Sequence, residues 1–432
     1  MKLLEKFLFD KINLIISYFE TIFLQIFILR IFLSGNLYYF SCNLLWAINL
    51  TWVLIIILKD VFDKNIIKIK DKKYYLLILY FIIAVISWLF YRKKYNLYSF
   101  YDLIKLYEFC FIFYLIPFEV KNSKKLHKML EIISYSFCTY VFIFLSISLL
   151  LYILGINQIT LPNGISHSLY GLDNALAHKP RFFGIWNWAT DSSFHSYMAI
   201  CLHLYLIDRN KNKLINWICI FLCLIMIYLS DTRTSFIILA LIIMCFFSFK
   251  IQNKIGKKKM ILINNGVIII ACIGLVFIKS KTNPELISSI LTNPIDTFSE
   301  LSSGRMTSAK GIIENLKKSP FFGDGYANNT YMSTYFSGIN YPHNLFLAIL
   351  LYTGILGFVG FTIFLILNGF AIIKNSKYIK ENNFKWIAVL SVCIFVQSMF
   401  SPAILGTASS NVESLFFFLC LGISANKCTN LM

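Results

Sequence analysis

An all-α polytopic membrane protein is the fold class the sequence predicts, and three observations carry that prediction. Of the 432 residues, 58% are hydrophobic and only 14% charged, whereas a soluble domain carries about 25% charged residues. The apolar residues fall in runs that tile nearly the whole chain and leave no stretch for a separate soluble module. The positive charge is gathered into the short connections between alternate runs. An ordinary water-soluble enzyme is thereby excluded, and residues 1–432 are read as one integral membrane domain.

A helix rising about 1.5 Å per residue needs about 20 apolar residues to cross a hydrocarbon core about 30 Å thick. By that measure the chain has about twelve spans, near 12–33, 37–58, 74–91, 97–118, 131–154, 193–207, 214–229, 236–249, 260–278, 343–373, 386–404 and 411–425. The first run follows a charged leader with no Ala-x-Ala cleavage site, so it is read as a span and not as a cleaved signal. If the N-terminus is inside, the inner connections hold about 26 of the 40 Lys and Arg residues. Both termini are then expected to be cytoplasmic. The net charge of +19 becomes a topology signal, with a contact to anionic headgroups, and nucleic acid is not needed as a partner. The cysteines lie mostly inside apolar runs without a CxxC pair or a Cys/His cluster, which gives no support to a zinc site or a disulfide framework.

Two outer connections are long, 155–192 and 279–342. A transporter usually keeps its loops short and works at the bilayer midplane, whereas an enzyme acting at the outer surface needs loops to build a site. In the second loop, Met306, Ala309, Ile313 and Leu316 recur at helical spacing and Pro320 closes the stretch, which predicts an amphipathic helix lying along the membrane surface. Arg305 opens that helix, and a helix N-terminus with a guanidinium suits phosphate; the plainer reading is a headgroup anchor. The loop ends at Tyr341-Pro342-His343-Asn344 and runs into about 30 apolar residues interrupted by Gly354 and Gly357. Thirty residues make about 45 Å of helix, so part of it must project or bend. His343 is placed at the outer mouth, where an imidazole can exchange protons near neutral pH, or is simply an interfacial polar residue. The two glycines are candidates for close helix packing.

In the first long loop, Arg181-Phe182-Phe183-Gly184-Ile185-Trp186 puts a guanidinium beside aromatic faces, which suits a sugar phosphate or, equally, an aromatic belt at the headgroups. The turn Ser230–Ser235 carries Arg233, which pairs with Asp231 or caps the next helix. Asp102, Lys105 and Glu108 lie on one face of the expected fourth span and are functional candidates by their cost in lipid, or a self-neutralising set. The sequence lacks an Asp-x-Asp pair, a GxxxxGK[ST] loop, GxGxxG, HExxH and GxSxG. An enzyme built here would work with arginines and a histidine on substrates with a good leaving group.

His343, Asn344, nine residues, Gly354 and Gly357 meet every fixed position of a pattern found in the O-antigen ligase and O-antigen polymerase superfamily, and the chain resembles that superfamily over roughly 181–373. Arg305 followed by Pro320, Gly323 and Gly325, the Ser230–Ser235 turn, and Arg181 with Gly184 are similar to its other motifs and stand in the same order. The upstream arginine motif departs from the family in continuing as Trp186-Asn187-Trp188-Ala189 where Pro-Asn is common. The resemblance implies a plasma-membrane glycosyltransferase with its site facing the periplasm or the outside, using an undecaprenyl-diphosphate-linked glycan without metal or other cofactor. Arg181, Arg305 and Arg233 would neutralise the diphosphate, and His343 would take or orient the proton of the attacking hydroxyl. The acceptor would be a lipid-linked repeat unit for a polymerase, lipid A core for a ligase, or protein in a third group. Polymerisation is favoured, since the chain leaves no soluble domain for protein substrates, and other glycan-assembly membrane proteins are candidate partners. The competing reading is a lipid-linked sugar flippase or solute transporter built on the Asp102, Lys105 and Glu108 face, with a scaffold that has no active residues as a third.

Overall fold

The computed structural model describes residues 72–91, 123–160, 166–171, 181–186, 189–255, 305–326, 344–401 and 411–425, together with Leu103, Leu106, Tyr114, Pro342 and Leu405. Among them the protein is mostly helical. In chain order come α1 (Lys72–Tyr91), α2 (Ser123–Ile153), four short strands, α3 (Ala189–Asp208), α4 (Lys213–Ser230), α5 (Arg233–Ile255), α6 (Arg305–Leu316), α7 (Leu345–Lys374), α8 (Ser376–Glu381), α9 (Lys385–Ser398) and α10 (Asn411–Ala425). Five of these, α1, α2, α4, α5 and α7, are long and apolar enough to cross a membrane, while α9 and α10 are apolar but shorter. The expected spans at 12–33, 37–58 and 260–278 lie outside the described residues, as do both termini, and 97–118 is described only at three positions. Asp102, Lys105 and Glu108 are likewise outside them.

The core is built around α3, whose residues from Ser192 to Leu206 are buried without a break. It packs against α2, α4, α5 and α9. A helix buried all round needs small side chains where neighbours approach and an internal partner for every polar atom, because lipid supplies none. Ser196 Oγ accordingly donates to the Ser192 carbonyl at 2.7 Å. His195 Nδ1 lies 2.7 Å from the Asp191 carbonyl oxygen, and His203 Nδ1 lies 2.7 Å from Asn216 Oδ1 on α4. The second large contact joins α1 and α7. There the Ser87 hydroxyl donates to the Tyr352 carbonyl at 2.7 Å and the Tyr80 ring meets Phe361 at 4.7 Å between centroids.

The helices give the bundle two chemically different ends. One carries the strands, where β1 (Gln158–Thr160) pairs antiparallel with β2 (Ser166–Ser168) and β3 (Tyr170–Gly171) with β4 (Arg181–Phe182), and also the start of α7. The other carries the basic segments: the start of α2, the 208–213 turn and α8 with its flanks. There Lys73 Nζ and Asn375 Nδ2 both donate to the Ala425 carbonyl, at 3.3 and 2.9 Å, satisfying the open C-terminus of α10.

Candidate functional site

The long apolar run 345–374 is one helix broken at Gly354, whose φ of 62° and ψ of −163° fall in a region open in practice only to glycine. The twenty residues after the break make about 30 Å of helix, one hydrocarbon core. The nine before it, Leu345 to Thr353, form a separate piece above. A break in a helix orphans backbone groups on both sides, and here the second long loop supplies their partners. Ile355 N–H donates to the Pro320 carbonyl at 2.9 Å, Leu356 N–H to that of Phe321 at 3.3 Å, and Asp324 N–H to that of Leu351 at 2.7 Å. Gly323, itself at φ 67°, lies so close that a Cβ on it would stand 2.6 Å from the Gly354 nitrogen. Gly357 is helical, and a Cβ there would run into the Thr353 side chain. The sequence reading of Gly354 as a small packing residue is therefore corrected: its backbone conformation, not its size alone, is what the site requires.

The helix α6 leads into that turn. It forms where periodicity predicts it, but the inward residue is Ile312, which is fully buried, while Ile313 is half exposed. The expected stripe through Ile313 is thus rotated by one residue, because α6 packs on α7 and keeps only part of its apolar surface outward. Arg305 is the first residue of α6.

His343 lies outside the described residues, but both of its neighbours are described. Pro342 is buried, and Asn344 is the N-cap of α7: its Oδ1 accepts from Phe346 N at 2.9 Å and Leu347 N at 3.2 Å, the usual cure for unpaired first-turn donors. Its Nδ2 also donates to the Met399 carbonyl at 2.9 Å, which ties the start of α7 to the end of α9. Two residues on, Phe346 lines one end of an apolar cavity of about 220 Å³ between α7, α9 and α10, with Leu365, Val392, Phe395 and Phe417 along its walls.

Arg181 begins β4, opposite Gly171, and is partly exposed. The Arg-Phe-Phe-Gly turn is clamped to α2, where Ile185 N–H donates to Ser148 Oγ at 3.1 Å and Gly184 lies directly on the Ser148 side chain. Phe182, Phe183 and Trp186 are all buried; Phe182 meets Tyr152 and Tyr170 at 5.1 Å, and Trp186 meets Phe144 at 5.4 Å. These rings are spent on packing and are neither open sugar platforms nor a headgroup belt. Arg233 is the exposed first residue of α5. Next to it, Thr232 Oγ1 lies 2.9 Å from Ser193 Oγ on α3 and 2.7 Å from Ser235 Oγ, so the Ser230–Ser235 turn is anchored on the first turns of α3. Since α4 also packs on β4, Arg181 and Arg233 stand on neighbouring elements at the strand-bearing end.

The break, its glycine partner and the capped start of α7 all fall in one contiguous stretch of sequence. Residues 218–362 match the O-antigen ligase family. The match supports the O-antigen ligase/polymerase superfamily as the chain's relationship and covers about a third of it. It contains Arg233, Arg305, His343, Asn344, Gly354 and Gly357, while Arg181 lies upstream of it. No curated protein matches the chain. Within the O-antigen ligase stretch, the turn 320–325 and the broken α7 form a single unit. The sequence reading passed over Ser148, whose role depends on a partner 37 residues away, and Glu413, which is buried in the first turn of α10. A lone acid opening an apolar run was the available signal for the latter.

Proposed function

We propose that the chain polymerises undecaprenyl-diphosphate-linked oligosaccharide repeat units, of O-antigen or capsule, on the outer face of a bacterial plasma membrane. The observation that carries this reading is the O-antigen ligase match over a stretch in which the loop after Arg305 is hydrogen-bonded into the break of the helix that begins beside His343. In this reading Arg181, Arg305 and Arg233 hold the diphosphate and neutralise the charge that grows on it as it leaves, as paired N–H donors of a guanidinium do for phosphate oxygens. His343 accepts or orients the proton of the attacking sugar hydroxyl. In-line attack inverts the anomeric carbon, with arginine charge doing the work a metal ion does elsewhere. The apolar cavity beginning at Phe346 offers the polyprenyl chain a lateral path, and the acceptor is a second lipid-linked unit.

The match to the O-antigen ligase family favours a second reading, ligation of the finished glycan to lipid A core. The surface glycan of a deletion strain separates the two: a single capped repeat marks a lost polymerase, and lipid-linked polymer without attachment a lost ligase. Complementation by His343→Ala should leave the protein at wild-type level in the membrane and abolish transfer. Full activity in that variant would overturn the assignment.

A further inference from the structure

At the end of the bundle opposite Arg181 and Asn344, the start of α2, the turn between α3 and α4, and the end of α8 enclose a cleft of about 420 Å³. Its cationic walls are Lys124, Lys128, Arg209 and Lys211. Its floor is His127, buried and stacked on Phe384 at 4.4 Å, with Nδ1 2.9 Å from the Tyr205 hydroxyl. Two acids line it against four basic side chains. Glu131 is held by Arg209 Nε and by Lys211 Nζ, each at 3.2 Å, so one carboxylate answers two cations. Glu381 lies 3.8 Å from Lys377, outside the cleft. Asp208, which adjoins Arg209 in the chain, is engaged by Lys385 at 2.9 Å. Arg209 and Lys211 share the single charge of Glu131 and Lys128 adds another, so the cleft keeps a surplus of positive charge beside Asn382, whose amide donates to the Tyr378 carbonyl at 3.0 Å, and Asn383.

We propose that this cleft binds a phosphate-bearing anion, and that the phosphate is the headgroup of an anionic phospholipid. The phosphate chemistry follows from the surplus cations around a concave wall. The lipid source follows from what adjoins the cleft. Three and four residues beyond Lys211, Leu214 and Ile215 are 75% and 60% exposed, and Trp217 and Ile218 extend that apolar surface down α4, which is a path for an acyl chain leaving a headgroup held at Lys211. The same ring of elements ties α2, α3 and α8 together, so an occupied cleft braces the end of the bundle remote from glycan transfer.

The test uses the full chain in nanodiscs of neutral phosphatidylcholine, with and without phosphatidylglycerol, and the double variant Lys124→Gln/Lys128→Gln. Equal melting temperatures in the neutral discs show that the variant is folded. Native mass spectrometry should then find phosphatidylglycerol retained by the wild-type protein and retained about thirtyfold more weakly by the variant, from a contribution of about 1 kcal/mol for each of the two lysines. Equal retention by the two proteins overturns the proposal. A rise in wild-type melting temperature with glycerol phosphate in neutral discs, without selective retention of phosphatidylglycerol, overturns the lipid assignment and leaves a soluble phosphate as the ligand.

Discussion

Gly323 and Gly354 stand back to back at positive φ, and a Cβ on either would come within 2.6 Å of the other's backbone nitrogen. Neither position tolerates a side chain, for two separate reasons: the backbone conformation and the approach of the other strand of chain. The contact fixes the turn 320–325 to the broken helix α7.

Gly354→Ala should therefore cost more than the 1–3 kcal/mol that a strained backbone position typically stores, since Phe321 must also move. We expect a lower melting temperature in detergent and loss of transfer, with Gly323→Ala behaving alike. Gly357→Ala meets only the Thr353 side chain, at an ordinary helical backbone position, so its effect should be the smallest of the three. Identical melting curves for Gly354→Ala and wild type would contradict this account.

Asn344 has two separable duties. Asn344→Asp retains the oxygen that caps α7 and loses the donor to the Met399 carbonyl, whereas Asn344→Ala loses both. Cap loss typically costs about 1 kcal/mol, so chemical denaturation should rank the variants wild type, then Asp, then Ala.

Ser148 supports Arg181 from α2. Ser148→Ala leaves the half-buried Ile185 N–H without its acceptor, at a cost of about 1 kcal/mol, and should reduce glycan transfer in the same direction as Arg181→Ala. Transfer at the wild-type rate in Ser148→Ala would separate the turn from the reaction.

Replacing each proposed diphosphate-binding arginine by lysine keeps the charge and removes the paired donors. For Arg305→Lys and Arg233→Lys the transfer rate should fall about 10²-fold or more, the scale of losing one stabilising donor at a developing anion, with little change in melting temperature. A fall in stability equal to the fall in rate would instead mark the arginines as structural.

Composition and run length made the membrane class legible, because burial in lipid demands apolar segments of a set length whatever their partners. The His343 to Gly357 spacing made the similarity to the O-antigen ligase family legible, and the length of the run from 345 pointed to a bend. The fate of the aromatic residues after Arg181 was not legible. A phenylalanine facing a sugar and one facing a helix have the same local sequence, and only Tyr152 and Tyr170, brought in by the fold, decide for burial. The inward face of α6 was missed for a similar reason, since Ile312 and Ile313 are adjacent and equally apolar.

What the sequence by itself determined is the helical, apolar character of the chain and the motif that carries its resemblance to the O-antigen ligases. What only the tertiary structure decided is how the break at Gly354 is sustained. An interrupted helix next to lipid leaves N–H and C=O groups that water cannot reach, and their partners at Pro320, Phe321 and Asp324 lie some thirty residues away in sequence, brought to the gap by the packing of α6 on α7.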